Sequence, residues 1–146
     1  MLRQLFLGGA VSVCNIAIHA VLMAAVVWAA RRTIGTGLLR QQARLITVMT
    51  CSVSVLMAAH VVEVLVWALA YMLVDAAPRG ADPYYFAFVN YTTLGYGDVI
   101  PVEGWRLLGP VTAMNGVLLF GWSTAVIFEV LRRTTQLGQR TPALAP

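Results

Sequence analysis

Three long apolar segments leave few folds open to this chain. The first is Ala10–Ala30, the second is Leu45–Val74, and the third runs from Pro110 to Leu131. At 1.5 Å of rise per residue, the first makes a helix of about 32 Å, enough to cross the hydrocarbon core of a bilayer. A chain of 146 residues that is 60% hydrophobic and 11% charged cannot bury so much apolar surface in a soluble domain. We therefore predict an all-α membrane protein with three transmembrane helices.

A fourth, shorter helix is predicted in residues 75–109, between the second and third segments. Asp82 is a suitable N-cap, and Pro83 suits the first helical position because proline lacks the backbone N–H that would be unpaired there. The helix is predicted to run to about Thr92, which is too short to cross a bilayer. We therefore expect it to enter the membrane and return on the same side.

The sequence VNYTTLGYGDVIP, residues 89–101, follows this short helix. Its two glycines interrupt any helix, and irregular backbone at membrane depth is tolerated only where protein covers it or where it lines water. Gly95 and Gly97 can adopt backbone conformations that other residues avoid. We expect them to direct backbone carbonyl groups toward a water-lined path.

The arginines indicate how the chain is oriented. The chain has ten arginines and no lysine, and the arginines lie at the ends of apolar segments rather than on one basic face, which argues against nucleic-acid binding. The positive-inside rule places arginine-rich connections in the cytoplasm, so the N-terminus is expected outside and the C-terminus inside a plasma membrane, most simply a bacterial inner membrane. The arginines of these connections are Arg31, Arg32, Arg40, Arg44, Arg132, Arg133 and Arg140.

The motif TTLGYGD, residues 92–98, resembles the selectivity filter of potassium channels, and the order outer helix, pore helix, filter and inner helix resembles their pore domain. The resemblance covers about Arg44–Arg133. It implies a homotetramer in a lipid bilayer, with one pore unit per chain and potassium ions held by rings of carbonyls, and it implies no enzyme activity and no other cofactor. The implied filter residues are Thr93, Leu94, Gly95, Tyr96 and Gly97, supported by Thr92 and Asp98, with Tyr96 directed away from the pore.

Two positions depart from the family pattern. Leu94 replaces the commoner valine or isoleucine, so its side chain is expected to pack differently behind the filter. Val89 stands where some members of the family carry a carboxylate that partners the filter aspartate. We therefore expect Asp98 to lack that partner.

Several residues of the third segment have two interpretations. Gly116 and Gly121 lie about where the family has a gating hinge and a tightly packed small residue, although small residues also serve ordinary helix packing. Asn115, Ser123 and Thr124 either face the cavity or bond neighbouring helices. Glu129 either contributes to a cation-attracting ring or pairs with the arginines that follow it.

The first segment lies outside the resemblance. Ser12, Asn15 and His19 are spaced by three and four residues and so form one polar stripe, which we expect to pack on the second segment. The segment has no regularly spaced arginines, so it does not have the pattern of a voltage sensor.

His60 and Glu63 are predicted to form a buried polar pair on one face of the second helix. An ionisable residue at this depth should face protein or water. One hypothesis is that Glu63 helps to hold the pore helix, with His60 hydrogen-bonded to it. The alternative is a structural pair packed between the first and second segments.

The leading functional interpretation is a potassium-selective channel, and the nearer alternatives are a weakly selective cation channel and a non-conducting channel subunit. From a different class, His19 and His60 could be axial ligands of an intramembrane haem in an electron-transfer protein. The predicted divisions are an extra N-terminal helix 1–31, a basic cytoplasmic loop 32–44, a pore domain 45–132 (outer helix 45–74, pore helix 83–92, filter 93–97, inner helix 109–131) and a short tail 133–146.

Overall fold

The computed structural model describes the backbone of residues 1–32 and 38–139 and the side chains of residues 1–29 and 42–136. Over these residues the secondary structure is helical, without strands, and three helices are long and apolar enough to cross a membrane. The predicted fold class is confirmed. The elements are α1 (Leu2–Arg32), α2 (Leu38–Leu73), α3 (Pro83–Tyr91), a 3₁₀ turn (Glu103–Trp105) and α4 (Leu108–Gln139).

The short helix α3 begins as its sequence predicts. The Asp82 side chain accepts a hydrogen bond from the backbone N–H of Tyr84 at 2.9 Å, and Pro83 occupies the first turn. At the other end, the backbone N–H of Thr92 donates to the carbonyl of Phe88 at 2.9 Å. Nine residues make a helix of about 14 Å, so α3 cannot cross the bilayer.

The long helices extend beyond the apolar segments. α2 begins at Leu38 rather than Leu45, and α4 continues to Gln139 rather than ending at Leu131. Hydrophobicity locates only the part of a helix that lies in lipid, whereas a helix continues into water until its sequence interrupts it. In α4 the ion pairs of Glu129 with Arg132 and Arg133, three and four residues on, stabilise this continuation.

The helices form two packed regions. α1 lies against α2 and α4, and α3 lies against the same two helices. The larger buried cluster surrounds α3 and includes Trp67, Tyr71, Phe86, Tyr91 and Leu108, all fully buried. α3 is therefore held by large side chains from both long helices behind it.

Contacts at the two ends of the bundle agree with the prediction that successive long helices run in opposite directions. At one end, the guanidinium of Arg3 lies 4.3 Å from the ring centre of Trp105, and the N–H of Leu107 donates to the Gln4 side chain at 2.9 Å. At the opposite end, Arg44 donates to the carbonyl of Thr134 at 3.1 Å. The side chains of Arg31, Arg32 and Arg40 and the whole of Arg140 lie outside the described residues.

Candidate functional site: the loop after α3 and the polar cluster behind it

The loop after α3 has a regular backbone alternation. Thr93, Gly95 and Gly97 have φ angles of 60°, 60° and 79°, in the left-handed region, and the residues between them do not. Glycine enters this region without steric penalty, whereas Thr93 is held there at some cost. Because every second residue of the loop is in the left-handed region, its successive peptide groups are oriented neither as in a strand nor as in a helix.

The backbone amides at the start of this loop are bonded to the end of α3. The N–H of Thr93 donates to the carbonyl of Asn90 at 3.1 Å, and the N–H of Leu94 donates to the carbonyl of Val89 at 3.0 Å. Within the described part of the chain, none of the carbonyl oxygens of residues 93–97 accepts a hydrogen bond. These oxygens are therefore free to bind an ion or water. Either would supply the hydrogen-bonding or electrostatic partner that a backbone carbonyl requires.

The side chains of the loop are exposed on the single chain. Leu94 is 51% exposed and Tyr96 is 71% exposed. The Thr92 hydroxyl bonds back to the carbonyl of Phe88 at 2.7 Å. Tyr96 is therefore far less enclosed by its own chain than Tyr71 of α2 and Tyr91 of α3, which are fully buried.

Asp98 has a partner that the sequence did not suggest. Asp98 lacks the carboxylate partner at position 89, as expected, and the hydroxyl of Tyr85 instead donates to its carboxylate at 2.7 Å. Tyr85 lies four residues before Val89 and thus on the same face of α3, and its long side chain reaches where Val89 cannot. The bond to Asp98 raises the pKa of the Tyr85 phenol, which therefore keeps its proton.

The two glycines of α4 have different surroundings. A Cβ atom at Gly116 would overlap the carbonyl oxygen of Tyr91, the last residue of α3. A Cβ atom at Gly121 would meet nothing within 4 Å in the described chain. α4 passes through both positions as one helix, so Gly116 is a position of close packing between α4 and α3.

A polar cluster lies behind α3, centred on Glu63. The carboxylate of Glu63 contacts His19 Nδ1 at 2.8 Å and His60 Nδ1 at 3.0 Å, and it accepts a hydrogen bond from the Tyr91 hydroxyl. Glu63 and His19 are fully buried, and the His60 side chain is 11% exposed. The carboxylate thus contacts side chains of α1, α2 and α3 at once.

The far sides of the two imidazoles meet at one residue of α4. Ser123 Oγ lies 3.0 Å from His60 Nε2 and 3.4 Å from His19 Nε2. The two rings are 5.5 Å apart between centres, and both nitrogens of each ring face the side chains of Glu63 and Ser123. This packing does not accommodate a porphyrin between the rings, so the geometry does not support the haem alternative.

A second set of polar contacts joins α1 to α2 and α4. Asn15 donates to the carbonyl of Glu63 and to the side chain of Asn115, each at 3.2 Å. Trp67 also donates to Asn115 Oδ1, at 3.0 Å. The polar stripe of α1 therefore packs on α2, as predicted, and it reaches α4 as well.

The remaining predicted position is Glu129, near the end of α4. Its carboxylate bonds to Arg132 at 2.9 Å and pairs with Arg133. The structure shows the pairing with the following arginines. Tyr85 and Tyr91 were not predicted as site residues, although phenols on so apolar a helix as PYYFAFVNY are themselves a signal that hydroxyl partners are needed.

These features define a membrane protein with a short returning helix, a loop of free carbonyls and a long helix behind it. A family model described as ion channel matches residues 59–133, just over half of the chain. The chain belongs to this ion channel family. No curated protein and no solved structure shows significant similarity to it.

Proposed function

We propose that the protein is a potassium-selective channel that conducts passively through a pore formed by four copies of the chain. The main support is the loop of residues 93–97, which combines alternating backbone handedness with carbonyl oxygens that have no partner in the described chain. Potassium enters a narrow pore only if carbonyl oxygens replace its lost water. Filter residues Thr93, Leu94, Gly95, Tyr96 and Gly97 would supply these oxygens, and Thr92 and Asp98 would support them.

Exposure of the loop supports assembly. One chain supplies a single set of loop carbonyls, and an ion needs oxygens on all sides. Closed rotational symmetry completes such a ring with identical surfaces. Exposed apolar residues of α4, including Met114, Val117 and Leu118, would then face the central cavity or neighbouring chains.

Flux from liposomes that contain the purified protein tests the selectivity. A potassium gradient should drive flux, an equal sodium gradient should not, and Gly95→Ala should abolish potassium flux because alanine is strained at this φ. Gly80→Ala is the matched control: Gly80 has a φ of 85° but lies in the loop before α3. Equal flux of both ions would favour the weakly selective alternative.

Native mass spectrometry of the same preparation tests the assembly. We expect four chains in one particle. A monomer or a dimer that still conducts potassium would contradict the proposed pore. A tetramer without flux under any condition would favour the non-conducting subunit.

A further inference from the structure

The cluster around Glu63 surrounds a buried carboxylate. In the described chain no arginine is bonded to Glu63, and its side-chain contacts are with His19, His60 and Tyr91. Burying a carboxylate without a counter-charge is costly, so the cluster favours a positively charged partner.

Every ring nitrogen of the two histidines has a polar atom beside it. His60 Nε2 and His19 Nε2 lie 3.0 and 3.4 Å from Ser123 Oγ, and His60 Nδ1 lies 3.0 Å from the Tyr91 hydroxyl as well as 3.0 Å from Glu63. Both rings are thus held with Nδ1 directed towards the carboxylate.

A divalent metal ion would suit this arrangement. Bound to the two Nδ1 atoms and the carboxylate, it would place positive charge beside Glu63 and take the place of any Nδ1 hydrogen. Each ring would then carry its hydrogen on Nε2, and Ser123 Oγ has two lone pairs to accept both. Metal-ligating histidines commonly donate their other N–H in this way.

The spacing of the ligand atoms is compatible with such an ion. Ligand atoms of His19, His60 and Glu63, one from each residue, lie within 4.8 Å of one another. His19 Nδ1 is 2.8 Å from one carboxylate oxygen of Glu63, and His60 Nδ1 is 3.0 Å from the other. Zinc bonds of about 2.0–2.1 Å in a tetrahedron put ligand atoms about 3.3 Å apart. Side-chain adjustments of about 1.5 Å at most would complete the geometry.

We propose that His19, His60 and Glu63 form a binding site for a zinc-like divalent metal ion, which joins α1 to α2 beside the end of the pore helix. Two imidazoles and one carboxylate are a zinc donor set, whereas potassium, calcium and magnesium prefer oxygen. Tyr91, the last residue of α3, donates to the same carboxylate, so a bound ion would stiffen the support of the loop that follows. This effect on the pore rests on the proposed function, but metal binding itself does not.

The chain is well suited to a direct test because its only two histidines both lie in the cluster. The full chain, with any tag removed and Cys14 and Cys51 replaced by serine, is stripped with chelator and titrated with Co²⁺ and Zn²⁺. We expect one metal ion per chain and a visible cobalt absorption band typical of nitrogen and oxygen ligands. His19→Gln, His60→Gln and Glu63→Gln should each weaken binding at least about 100-fold, and Ser123→Ala should weaken it about 10–100-fold.

Circular dichroism and native mass spectrometry establish that each variant keeps its helices and assembly. A variant that does not fold is replaced by Ser123→Ala, which leaves all three ligands in place. Absence of stoichiometric metal binding, or binding unchanged in the folded variants, would overturn the proposal. A chain that binds the metal but never conducts potassium would contradict the proposed function and not the metal site.

Discussion

Gly116 of α4 lies directly against the carbonyl oxygen of Tyr91, so that no side chain fits between the two helices at this point. Tyr91 ends α3, and the loop of free carbonyls begins two residues later. The contact therefore fixes the position of the end of α3, and with it the point from which the loop continues. A backbone oxygen cannot move aside as a flexible side chain can.

Gly116→Ala should therefore destabilise the protein, by about 2–3 kcal/mol, because the added methyl group overpacks against backbone. Gly121→Ala is the control in the same helix, and it should leave stability unchanged or raise it by up to about 1 kcal/mol through helix propensity. Unfolding free energies from SDS titration in mixed micelles measure both. Equal stabilities of the two variants would show that Gly116 is not a packing position.

Tyr85→Phe should weaken the attachment of the end of the loop to α3, because the change removes the hydrogen bond from Tyr85 to Asp98. We expect potassium flux in liposomes to decline faster with time, and the melting temperature of the assembly to depend more strongly on potassium concentration. Tyr84→Phe is the matched control, because its hydroxyl makes no hydrogen bond to the described residues. Identical behaviour of the two variants would mean that the Asp98 contact has no role in conduction.

Trp67→Phe should lower the free energy of unfolding by about 1–3 kcal/mol. The change removes the hydrogen bond to Asn115 and leaves unfilled space at a fully buried position. Trp122→Phe, at a residue that is 38% exposed, should cost less. A larger loss at Trp122 would be inconsistent with the packing described for α2 and α4.

The orientation in the membrane can be measured by cysteine labelling in a background without Cys14 and Cys51. A membrane-impermeant maleimide added to intact cells should label Arg79→Cys, in the exposed loop before α3. Thr135→Cys, near the end of α4, should react only after the membrane is opened. The reverse pattern would place the arginine-rich connections outside and contradict the predicted orientation.

Much of the fold could be predicted from the sequence because its causes are local. An apolar segment of 20 residues crosses lipid whatever its neighbours are. Asp82 and Pro83 start α3 by capping its first turn, and the structure confirms this start. The glycines at 95 and 97 were predicted to have unusual backbone, and both have positive φ, because only the residue itself decides how easily it enters that region.

The partners of buried polar groups were decided by the tertiary structure. Glu63 and His60 are three residues apart, and their pairing followed from helical periodicity. His19 and Asn115 are 44 and 100 residues from the groups they meet in Glu63 and Asn15, and nothing in the local sequence indicates which helix faces which. The bond between Tyr85 and Asp98 was not predicted for the same reason: the reach of a side chain across a fold depends on where two backbones are placed. The sequence alone thus determined the membrane spans, the short returning helix and the glycine loop, whereas packing of the four helices decided which polar groups meet, because a buried charge takes the partner that the fold places beside it.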